Sequence, residues 1–218
     1  MCGNASRPSA NKASPRRRRV VIATANPGKF REIATILSDL PVEWVGPSDL
    51  PPTPDPVESG STFAENARLK ALHYARATGL WALADDSGLE VDALGGEPGI
   101  YSARYAGEPR DDAANNAKLV RRLAGVPVSE RTARFRCAVA LAGPDGVLAE
   151  AEGAVEGLII DEPRGRNGFG YDPHFLVPSI GKTAAEIDPE HKNRISHRAR
   201  ALQAIRPAIR RCLDRSGG

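Results

Sequence analysis

The chain has 218 residues, 41% hydrophobic and 26% charged, which is the size and composition of an ordinary globular protein with one full core. No apolar run approaches the roughly 20 residues that a membrane-spanning helix needs, so a membrane is not expected as a partner. The three cysteines, Cys2, Cys137 and Cys212, are far apart and odd in number. They exclude a disulfide framework and a zinc-binding spacing, and they favour a reducing, cytoplasmic setting.

The net charge of +3 is concentrated at the N-terminus. Residues 1–19 contain six Lys and Arg and no acid, which leaves 24 Lys and Arg against 27 Asp and Glu in the rest of the chain. A basic pI that comes from a tail does not indicate nucleic-acid binding by the folded body, and no specific nucleic acid is expected as a partner. Composition predicts a disordered basic extension (1–18), a folded domain (19–214) and a frayed C-terminus (215–218).

The first elements alternate between strand and helix. The apolar run VVIAT predicts a buried strand over residues 19–24, and Asn26 can cap a helix that has Pro27 in its first position. Pro41 is expected to end that helix. A short strand over residues 42–45 and a proline-rich loop over residues 47–60 follow.

A second helix and a third strand lead to two adjacent acidic residues. Thr62 to Glu65 has the sequence of a capping box, and the helix is expected to stop at Gly79. The apolar residues 80–84 then predict a buried strand that ends at Asp85 and Asp86.

The second half of the chain predicts a helix, a β-hairpin and several shorter elements. These are a helix from Asp111 or Asp112 to Leu123, hairpin strands over residues 134–142 and 147–155, a short strand over residues 174–177, and a last helix from Asp188 that Pro207 kinks or interrupts. Alternating strands and helices followed by a hairpin indicate an α/β fold with a mixed sheet.

Asp85 and Asp86 are the first candidates for chemistry. Adjacent carboxylates at the end of a buried strand repel each other, and a divalent cation, a raised pKa or solvent must relieve the repulsion. The sequence Asp-Asp-Ser-Gly suits an ordinary strand-to-loop turn equally well. Because side chains alternate along a strand, one aspartate is expected to face a cleft and the other to brace it.

The segment from Thr24 to Lys29 joins a strand to a helix N-terminus. Free N–H groups and the helix dipole favour an anion at such a position, and Lys29 adds a positive charge, so phosphate is the natural ligand. The segment lacks the GxxxxGK[ST] pattern of a Walker loop. A capped helix with a surface lysine is the alternative interpretation.

Three further groups each have a functional and a structural interpretation. Glu58, taken alone, is a solvated acid at the end of the proline-rich loop. The stretch from Phe169 to Asp172 could stack a base for about 1–3 kcal/mol, but a loop anchored in the core would use the same residues. Lys192, His197 and Arg198 form either a solvated basic face or part of a binding site, and His197 fits no zinc-binding pattern.

Five stretches, in this order, resemble the inosine triphosphate pyrophosphatase family, the Ham1-like enzymes. They are TANPGKFREI (24–33), ESGSTFAENARLKA (58–71), LADDSGLEVDALGGEPGIYSARYAG (83–107), GFGYDPHFLVP (168–178) and KTAAEIDPEHKNRISHRARAL (182–202). The resemblance implies an elongated, two-lobed, three-layer α/β fold around a central mixed β-sheet, with the active site in the cleft between the lobes. It also implies a homodimer that hydrolyses ITP, dITP and XTP to the monophosphate and pyrophosphate with Mg²⁺, which removes deaminated purines from the nucleotide pool.

The resemblance also implies roles for individual residues. Glu58 and Asp86 would ligate Mg²⁺, and Asp86 would accept the proton of the attacking water. The residues implied in binding the purine nucleoside triphosphate are Thr24, Ala25, Asn26, Pro27, Gly28, Lys29, Ser87, Phe169, Gly170, Tyr171, Asp172, Lys192, His197 and Arg198. Whether Glu65, Lys70 or Arg104 contacts metal or phosphate stays open.

Base selection has a physical basis in this interpretation. Hypoxanthine and xanthine carry a 6-oxo acceptor where adenine carries a donor, so donors from His197 and Arg198 would reject adenine, and guanine would have to be rejected at its 2-position. A Maf-type pyrophosphatase with a different base preference is the nearest alternative. From another class, the alternative is a non-enzymatic nucleic-acid binder that uses the run Arg16–Arg19 and shows steep salt dependence.

Overall fold

The computed structural model describes residues 17–54 and 56–215, and within these ranges one mixed sheet has the strand order β2-β1-β3-β4-β5-β6-β7. The strands are β1 (Arg18–Ile22), β2 (Val42–Val45), β3 (Trp81–Val91), β4 (Thr132–Gly143), β5 (Gly146–Ile159), β6 (Phe175–Val177) and β7 (Lys182–Thr183). The helices are α1 (Pro27–Ile36), α2 (Phe63–Thr78), α3 (Asp112–Arg122), α4 (Pro189–Ile195) and α5 (His197–Arg215).

The predicted basic extension and frayed C-terminus lie almost entirely outside the described residues. Strand β1 begins at Arg18 and helix α5 ends at Arg215, so each element reaches one residue beyond the predicted domain 19–214. None of the described helices combines the length and the apolar character that a membrane span requires.

The sheet is mixed because its strands are connected in two ways. Strand β1 is parallel to both β2 and β3, and the helices α1 and α2 make the crossovers that parallel neighbours require. From β3 to β7 every pairing is antiparallel. The predicted α/β fold with a mixed sheet is therefore confirmed.

Helices cover both faces of the sheet, which gives three layers. On one face, β1, β3 and β4 contribute large aliphatic side chains that pack against α1 and α5. On the other face, the same strands contribute mainly alanines, which allow α2 to lie close to the sheet. A separate cluster at the far end of β3 and β4, which includes Leu89, Phe135 and Phe175, forms the core of a second lobe.

Strand β3 is longer than the sequence indicated. It does not end at Ala84 but continues through Asp85 and Asp86 to Val91, paired with β4 along its whole length from Ala82. Strand β1 ends opposite Leu83, so from there on β4 is the only strand paired with β3, until Glu90 forms a bridge with Pro98. The gap that β1 leaves beside β3 is the cleft between the two lobes.

Two helix predictions were wrong in detail. Helix α1 ends at Ile36, and a turn rather than helix connects it to Pro41. The last helix is two helices, which are separated at Ser196, and Pro207 lies inside α5 without interrupting it. Ser196 has extended backbone angles and its Oγ accepts a hydrogen bond from the Ala199 N–H, 3.1 Å away, which explains the break.

The other corrections are small. The Thr62 hydroxyl caps α2 as predicted, but Glu65 accepts hydrogen bonds from the backbone and side chain of Ser61 instead of completing the capping box on Thr62. The two-residue strand β7 was not predicted. The cap of α1 by Asn26 and the left-handed Gly79 after α2 are confirmed.

Gly153 of β5 is expected to tolerate no larger residue, because the backbone of α5 lies directly against it. A Cβ at this position would lie 2.4 Å from both the Ala201 nitrogen and the His197 oxygen of α5, and backbone atoms cannot move aside individually. We expect Gly153→Ala to lower the free energy of unfolding by about 1–3 kcal/mol.

Gly146, on the same strand, is the matched control, because a Cβ there meets no atom within 4 Å. Gly146→Ala should change the unfolding free energy by less than about 0.5 kcal/mol. Urea denaturation measures both variants. Equal stability of the two variants would contradict the close approach of β5 and α5.

Candidate active site

The cleft beside β3 contains two connected cavities. A phosphate-side cavity of about 510 Å³ is lined by Ala23, Thr24, Ala25, Asn26, Lys29, Pro56, Glu58, Lys70, Tyr74, Asp85, Asp86, Ser87, Ile100, Ala103, Arg104 and Arg110. A purine-side cavity of about 90 Å³ is lined mainly by second-lobe residues and by Lys29, Ser87, Lys192, His197 and Arg198. The two names follow the expectation from the sequence that a phosphate binds beside Thr24 to Lys29 and a purine beside Phe169. The walls of the two cavities share Lys29, Ser87, Ala103 and Arg110.

Another cavity, of about 570 Å³, lies between the start of α2 and residues 95–101. Its charged residues are Glu90, Glu97, Arg136 and Glu152, and Arg136 is paired with both Glu90 and Glu152. The cleft beside β3 is the better candidate because it brings together a helix N-terminus, several cations and paired carboxylates.

The N-terminus of α1 forms one wall of the phosphate-side cavity. The Asn26 side chain accepts hydrogen bonds from the N–H groups of Gly28 and Lys29, at 2.8 and 3.2 Å. Thr24, Ala25, Asn26 and Lys29 line the cavity, whereas Pro27 and Gly28 form the first helical turn without lining it. The predicted segment is thus at the cleft, with the positive end of the helix dipole beside it.

Asp85 and Asp86 point to opposite faces of the sheet, as the alternation along β3 requires. Asp85 faces α1 and α5 and is buried between Lys29 and Arg198, with its Oδ2 atom 3.2 Å from Lys29 Nζ and 3.1 Å from Arg198 Nε. Burial alone would raise the pKa of Asp85, but the charges of Lys29 and Arg198 outweigh burial and hold the pKa well below its ordinary value. Asp85 is therefore ionised, and it is the aspartate that braces the cleft by holding Lys29 and Arg198.

Arg198 is a structural hub as well as a cleft residue. Its guanidinium donates to Asp85, to Glu32 Oε2 at 2.6 Å and to Ser87 Oγ at 3.1 Å. These bonds use three of its five N–H groups, so the side chain keeps donors for a ligand in the purine-side cavity. Glu32 was missed in the sequence, where its only signal is its position three residues after Lys29.

Asp86 faces α2 and the phosphate-side cavity. It accepts hydrogen bonds from Asn66 Nδ2 at 3.2 Å and from Lys70 Nζ at 3.1 Å. Burial raises the pKa of Asp86 above its ordinary value; Lys70 opposes this effect, and the nearby Glu58 adds to it. Asp86 is thus a carboxylate that holds a proton more readily than Asp85.

Glu58 and Asp86 converge on one cation. The ammonium of Lys70 lies 3.1 Å from Glu58 Oε1 and 3.1 Å from Asp86 Oδ1. No group of three or more His, Cys, Asp or Glu side chains suited to a metal occurs among the described residues. Two carboxylates at one position fit Mg²⁺, which takes one or two carboxylates together with waters and substrate phosphates.

The structure locates the three residues whose contacts the sequence left undecided. Lys70 joins Glu58 to Asp86, and Arg104 lines the phosphate-side cavity. Glu65 is bound to Ser61 and does not line the cavity. Arg110, which was missed, lines both cavities and carries no sequence signal beyond its position before two aspartates.

The purine-side cavity is lined by one exposed aromatic residue, Phe169, and by two buried ones, Phe135 and Tyr171. Phe169 is 41% exposed, whereas the Tyr171 ring is buried and its hydroxyl donates to the Ser102 oxygen at 2.8 Å. Asp172 accepts from the Phe169 N–H and pairs with Lys192. The structural interpretation thus holds for Tyr171, and Phe169 is the ring available for stacking.

His197 lies at the back of the purine-side cavity. Its ring stacks on Phe135 with a centroid distance of 5.0 Å and an interplanar angle of 21°. Burial lowers the pKa of His197 well below its ordinary value, and the neighbouring cations Arg198 and Lys192 lower it further. His197 is therefore a neutral ring that can donate one hydrogen bond and accept another.

One cleft of this mixed α/β sheet brings together a helix N-terminus, lysines and paired carboxylates. These features define a protein suited to a phosphorylated ligand. The model of the Ham1 family matches residues 20–208, so this chain belongs to the Ham1 family.

Known proteins of this family resemble the chain in both sequence and structure. The chain is 53% identical over 193 residues to the dITP/XTP pyrophosphatase of Desulforamulus reducens, covering 88% of this chain and 96% of that protein. It is 54% identical over 188 residues to the dITP/XTP pyrophosphatase of Geobacter sulfurreducens, covering 86% and 94%. The solved Ham1 protein of Staphylococcus aureus superposes with a TM-score of 0.80 at 45% identity over 88% of this chain and 98% of that chain. The solved HAM1 protein of Coxiella burnetii superposes with a TM-score of 0.82 at 44% identity, over 89% of this chain and 99% of that chain.

The two aspartates should differ in their effect on stability. Because the folded state lowers the pKa of Asp85, its stabilising contribution is present above the unfolded pKa of about 3.9 and is lost as the pH falls further. Asp85→Asn leaves Arg198 and Lys29 buried with less compensation and should cost about 3–5 kcal/mol at pH 7.

Asp86→Asn is the matched substitution on the other face. Because the folded state raises the pKa of Asp86, its ionised form opposes folding at pH 7, and the variant should be as stable as the wild type or more stable. Urea denaturation at pH 7 compares the two variants, and repeating it at pH 3, below the unfolded pKa of about 3.9, should narrow the loss for Asp85→Asn. A larger loss of stability for Asp86→Asn would show that the roles of brace and cleft residue are reversed.

Proposed function

We propose that this protein hydrolyses the non-standard purine nucleoside triphosphates ITP, dITP and XTP to the monophosphate and pyrophosphate, with Mg²⁺, and so removes deaminated purines from the nucleotide pool. The observation that carries the proposal is the convergence of Glu58 and Asp86 on one cation beside the N-terminus of α1. The names of the relatives at 53% and 54% identity support the same substrate class.

In the proposed complex, one cavity would bind the phosphates of the substrate and the other would bind its purine. The triphosphate would lie against Thr24 to Lys29, where the helix dipole and Lys29 offset negative charge, and Arg104 adds a further cation. Ser87, on the wall common to both cavities, would contact the substrate between these parts. The base would stack on Phe169, since that ring is exposed at the cavity.

Glu58 and Asp86 would hold Mg²⁺ together with phosphate oxygens. The position of Lys70 between the two carboxylates supports this assignment, because it places a positive charge at the same point of the cleft. When bound there, Mg²⁺ neutralises charge on the phosphates and lowers the pKa of a nearby water molecule.

Asp86 would act as the proton acceptor. As the water oxygen bonds to phosphorus, its proton passes to the Asp86 carboxylate, the anhydride bond between the α- and β-phosphates breaks, and pyrophosphate leaves. With Mg²⁺ lowering the pKa of the water, Asp86 could accept the proton without a pKa near seven, and Asn66 Nδ2 donates to its Oδ2 atom at 3.2 Å. Asp85 cannot replace it, because Asp85 is held between Lys29 and Arg198 on the other face of β3.

The donors at the purine-side cavity would select the base. Arg198 retains two N–H groups, and Lys192 and the neutral His197 lie on the same wall. These groups suit a 6-oxo acceptor, whereas the 6-amino group of adenine would oppose them with another donor and leave them unpaired.

The reaction is tested by incubating the full chain with ITP, XTP, GTP and ATP, with and without Mg²⁺, while pyrophosphate and phosphate are measured separately. We expect pyrophosphate from ITP and XTP at rates at least about 100-fold above ATP, because rejection leaves buried donors unpaired. We expect no turnover without Mg²⁺. Release of single phosphates would exclude this reaction, and equal rates on ATP and ITP would exclude base selection by His197 and Arg198.

Asp86→Asn separates chemistry from binding in the same assay. The variant should lose nearly all turnover, by about 10³-fold or more, because it cannot accept the proton. Asp145→Asn, in the exposed turn between β4 and β5, is the control and should retain wild-type rates. Full activity of Asp86→Asn would contradict its role. Preference for a base without a 6-oxo group would instead favour the Maf-type alternative.

We also propose a cytoplasmic homodimer, because the family resemblance implies one and because Cys137 is a buried thiol that forms no disulfide. Light scattering on the purified chain should give twice the monomer mass of 23.2 kDa. A monomeric mass over the micromolar range would contradict the dimer without affecting the proposed reaction.

A further inference from the structure

The loop from Gly168 to Asp172 needs support from outside itself. Gly168 and Gly170 have φ angles of 79° and 61°, in the left-handed region that glycine adopts easily, and they flank the exposed ring of Phe169. An aromatic residue between two such glycines has few local restraints. The position of the Phe169 ring must therefore be set by contacts with other elements.

Tyr171 and Asp172 anchor only the later part of the loop. The Tyr171 hydroxyl is bound to the Ser102 oxygen, and Asp172 is paired with Lys192. The Phe169 N–H donates to Asp172 Oδ2 at 2.9 Å, but this bond lies within the loop. It does not attach the Phe169 end of the loop to another element.

Asn167, the residue before the loop, donates its N–H to the Ala185 oxygen, and Lys192 Nζ lies 5.5 Å from the centre of the Phe169 ring. Helix α3 adds a third attachment, through Gly170. The Gly170 N–H donates to Asp112 Oδ2 at 2.8 Å, and the Gly170 oxygen accepts from Asn116 Nδ2 at 2.9 Å. Asp112 and Asn116 are four residues apart, so they lie one above the other on the same face of α3. Together they hold both peptide groups of the residue that follows Phe169.

The orientation of the Asn116 amide is fixed by its surroundings. Its Nδ2 also donates to the Asp112 backbone oxygen at 2.9 Å, while its Oδ1 is buried without a hydrogen-bond partner. Turning the amide over would place Oδ1 against two carbonyl oxygens. The observed orientation therefore keeps the hydrogen bond to the Gly170 oxygen, although it leaves Oδ1 of Asn116 unpaired.

The Asp112 carboxylate connects this loop to the other cavity. Its Oδ1 accepts from Arg110 Nε at 3.1 Å, and Arg110 lines both the purine-side and the phosphate-side cavities. One side chain of α3 thus holds the loop that carries Phe169 and a cation that faces both parts of the cleft.

We infer that Asp112 and Asn116 are positioning residues that fix Phe169 as a preformed stacking surface, so that α3 sets the affinity of the cleft for its purine. The inference rests on the proposed function for its kinetic part alone. Neither residue has to touch the substrate for this role. Loss of the clamp should weaken binding of the base and leave the chemistry at Asp86 intact.

Asn116→Asp is the sharpest test, because it keeps the shape of the side chain but replaces the donor by an acceptor that faces the Gly170 oxygen. We expect KM for ITP to rise about 10-fold, which is the loss of roughly one good hydrogen bond, with kcat within about twofold of the wild type. Asn116→Ala should show the same direction of change. Amide hydrogen exchange of residues 168–172 should become about tenfold faster in both variants.

Asn115 is the matched control on the same helix. Its Oδ1 accepts from the Ala106 N–H and its Nδ2 donates to the Ala103 oxygen, so it also ties α3 to a backbone segment, but it makes no hydrogen bond with residues 168–172. Asn115→Ala should lower the melting temperature without faster exchange in that loop.

The outcomes separate the inference from the proposed function. Wild-type KM together with wild-type loop exchange in Asn116→Asp would overturn the inference, and so would equal acceleration of loop exchange in Asn115→Ala. A wild-type enzyme that releases no pyrophosphate from ITP would overturn the proposed function, and the exchange measurement would still test the clamp.

Discussion

The structure depends on how one strand accommodates two adjacent carboxylates. Strand β3 places the side chains of Asp85 and Asp86 on opposite faces of the sheet, so the two carboxylates lie in different environments. Asp85 is compensated by Lys29 and Arg198, and this pairing joins α1, β3 and α5 at the base of the cleft. Asp86 remains only partly compensated, by Lys70, on the face that opens to the cleft. The ion pairs of Asp85 thus hold β3 in place while Asp86, the proposed proton acceptor, faces the cleft.

This division also explains why the cleft residues come from distant parts of the chain. Arg198 reaches β3 from the last helix and binds Glu32 from the first, so the two ends of the folded domain meet behind β3. A buried ion pair of this kind is weak evidence for net stability, because desolvation offsets much of the attraction. Its effect is geometric, since it fixes Ser87 and the start of α1 relative to each other.

Local features were predictable from the sequence and long-range partners were not. Asn26 and Pro27 define the start of α1 by themselves, because capping depends on adjacent residues. The length of β3 was underestimated because Asp-Asp-Ser-Gly has low strand propensity, which pairing with β4 overrides. The resemblance supplied Glu58 and Asp86, but the link between them through Lys70, and the link of Glu32 to Arg198, follow from packing that no local pattern records.

The edge of β3 beside the cleft has a consequence for the solution behaviour of the protein. A strand with an unpaired edge can add a strand from another chain and begin aggregation. Here the acidic side chains Asp85 and Asp86 flank that edge, and the segment 99–104 covers its continuation, with Ser102 Oγ accepting from the Leu89 N–H at 2.9 Å. The features that line the cleft therefore also protect the sheet against edge-to-edge association.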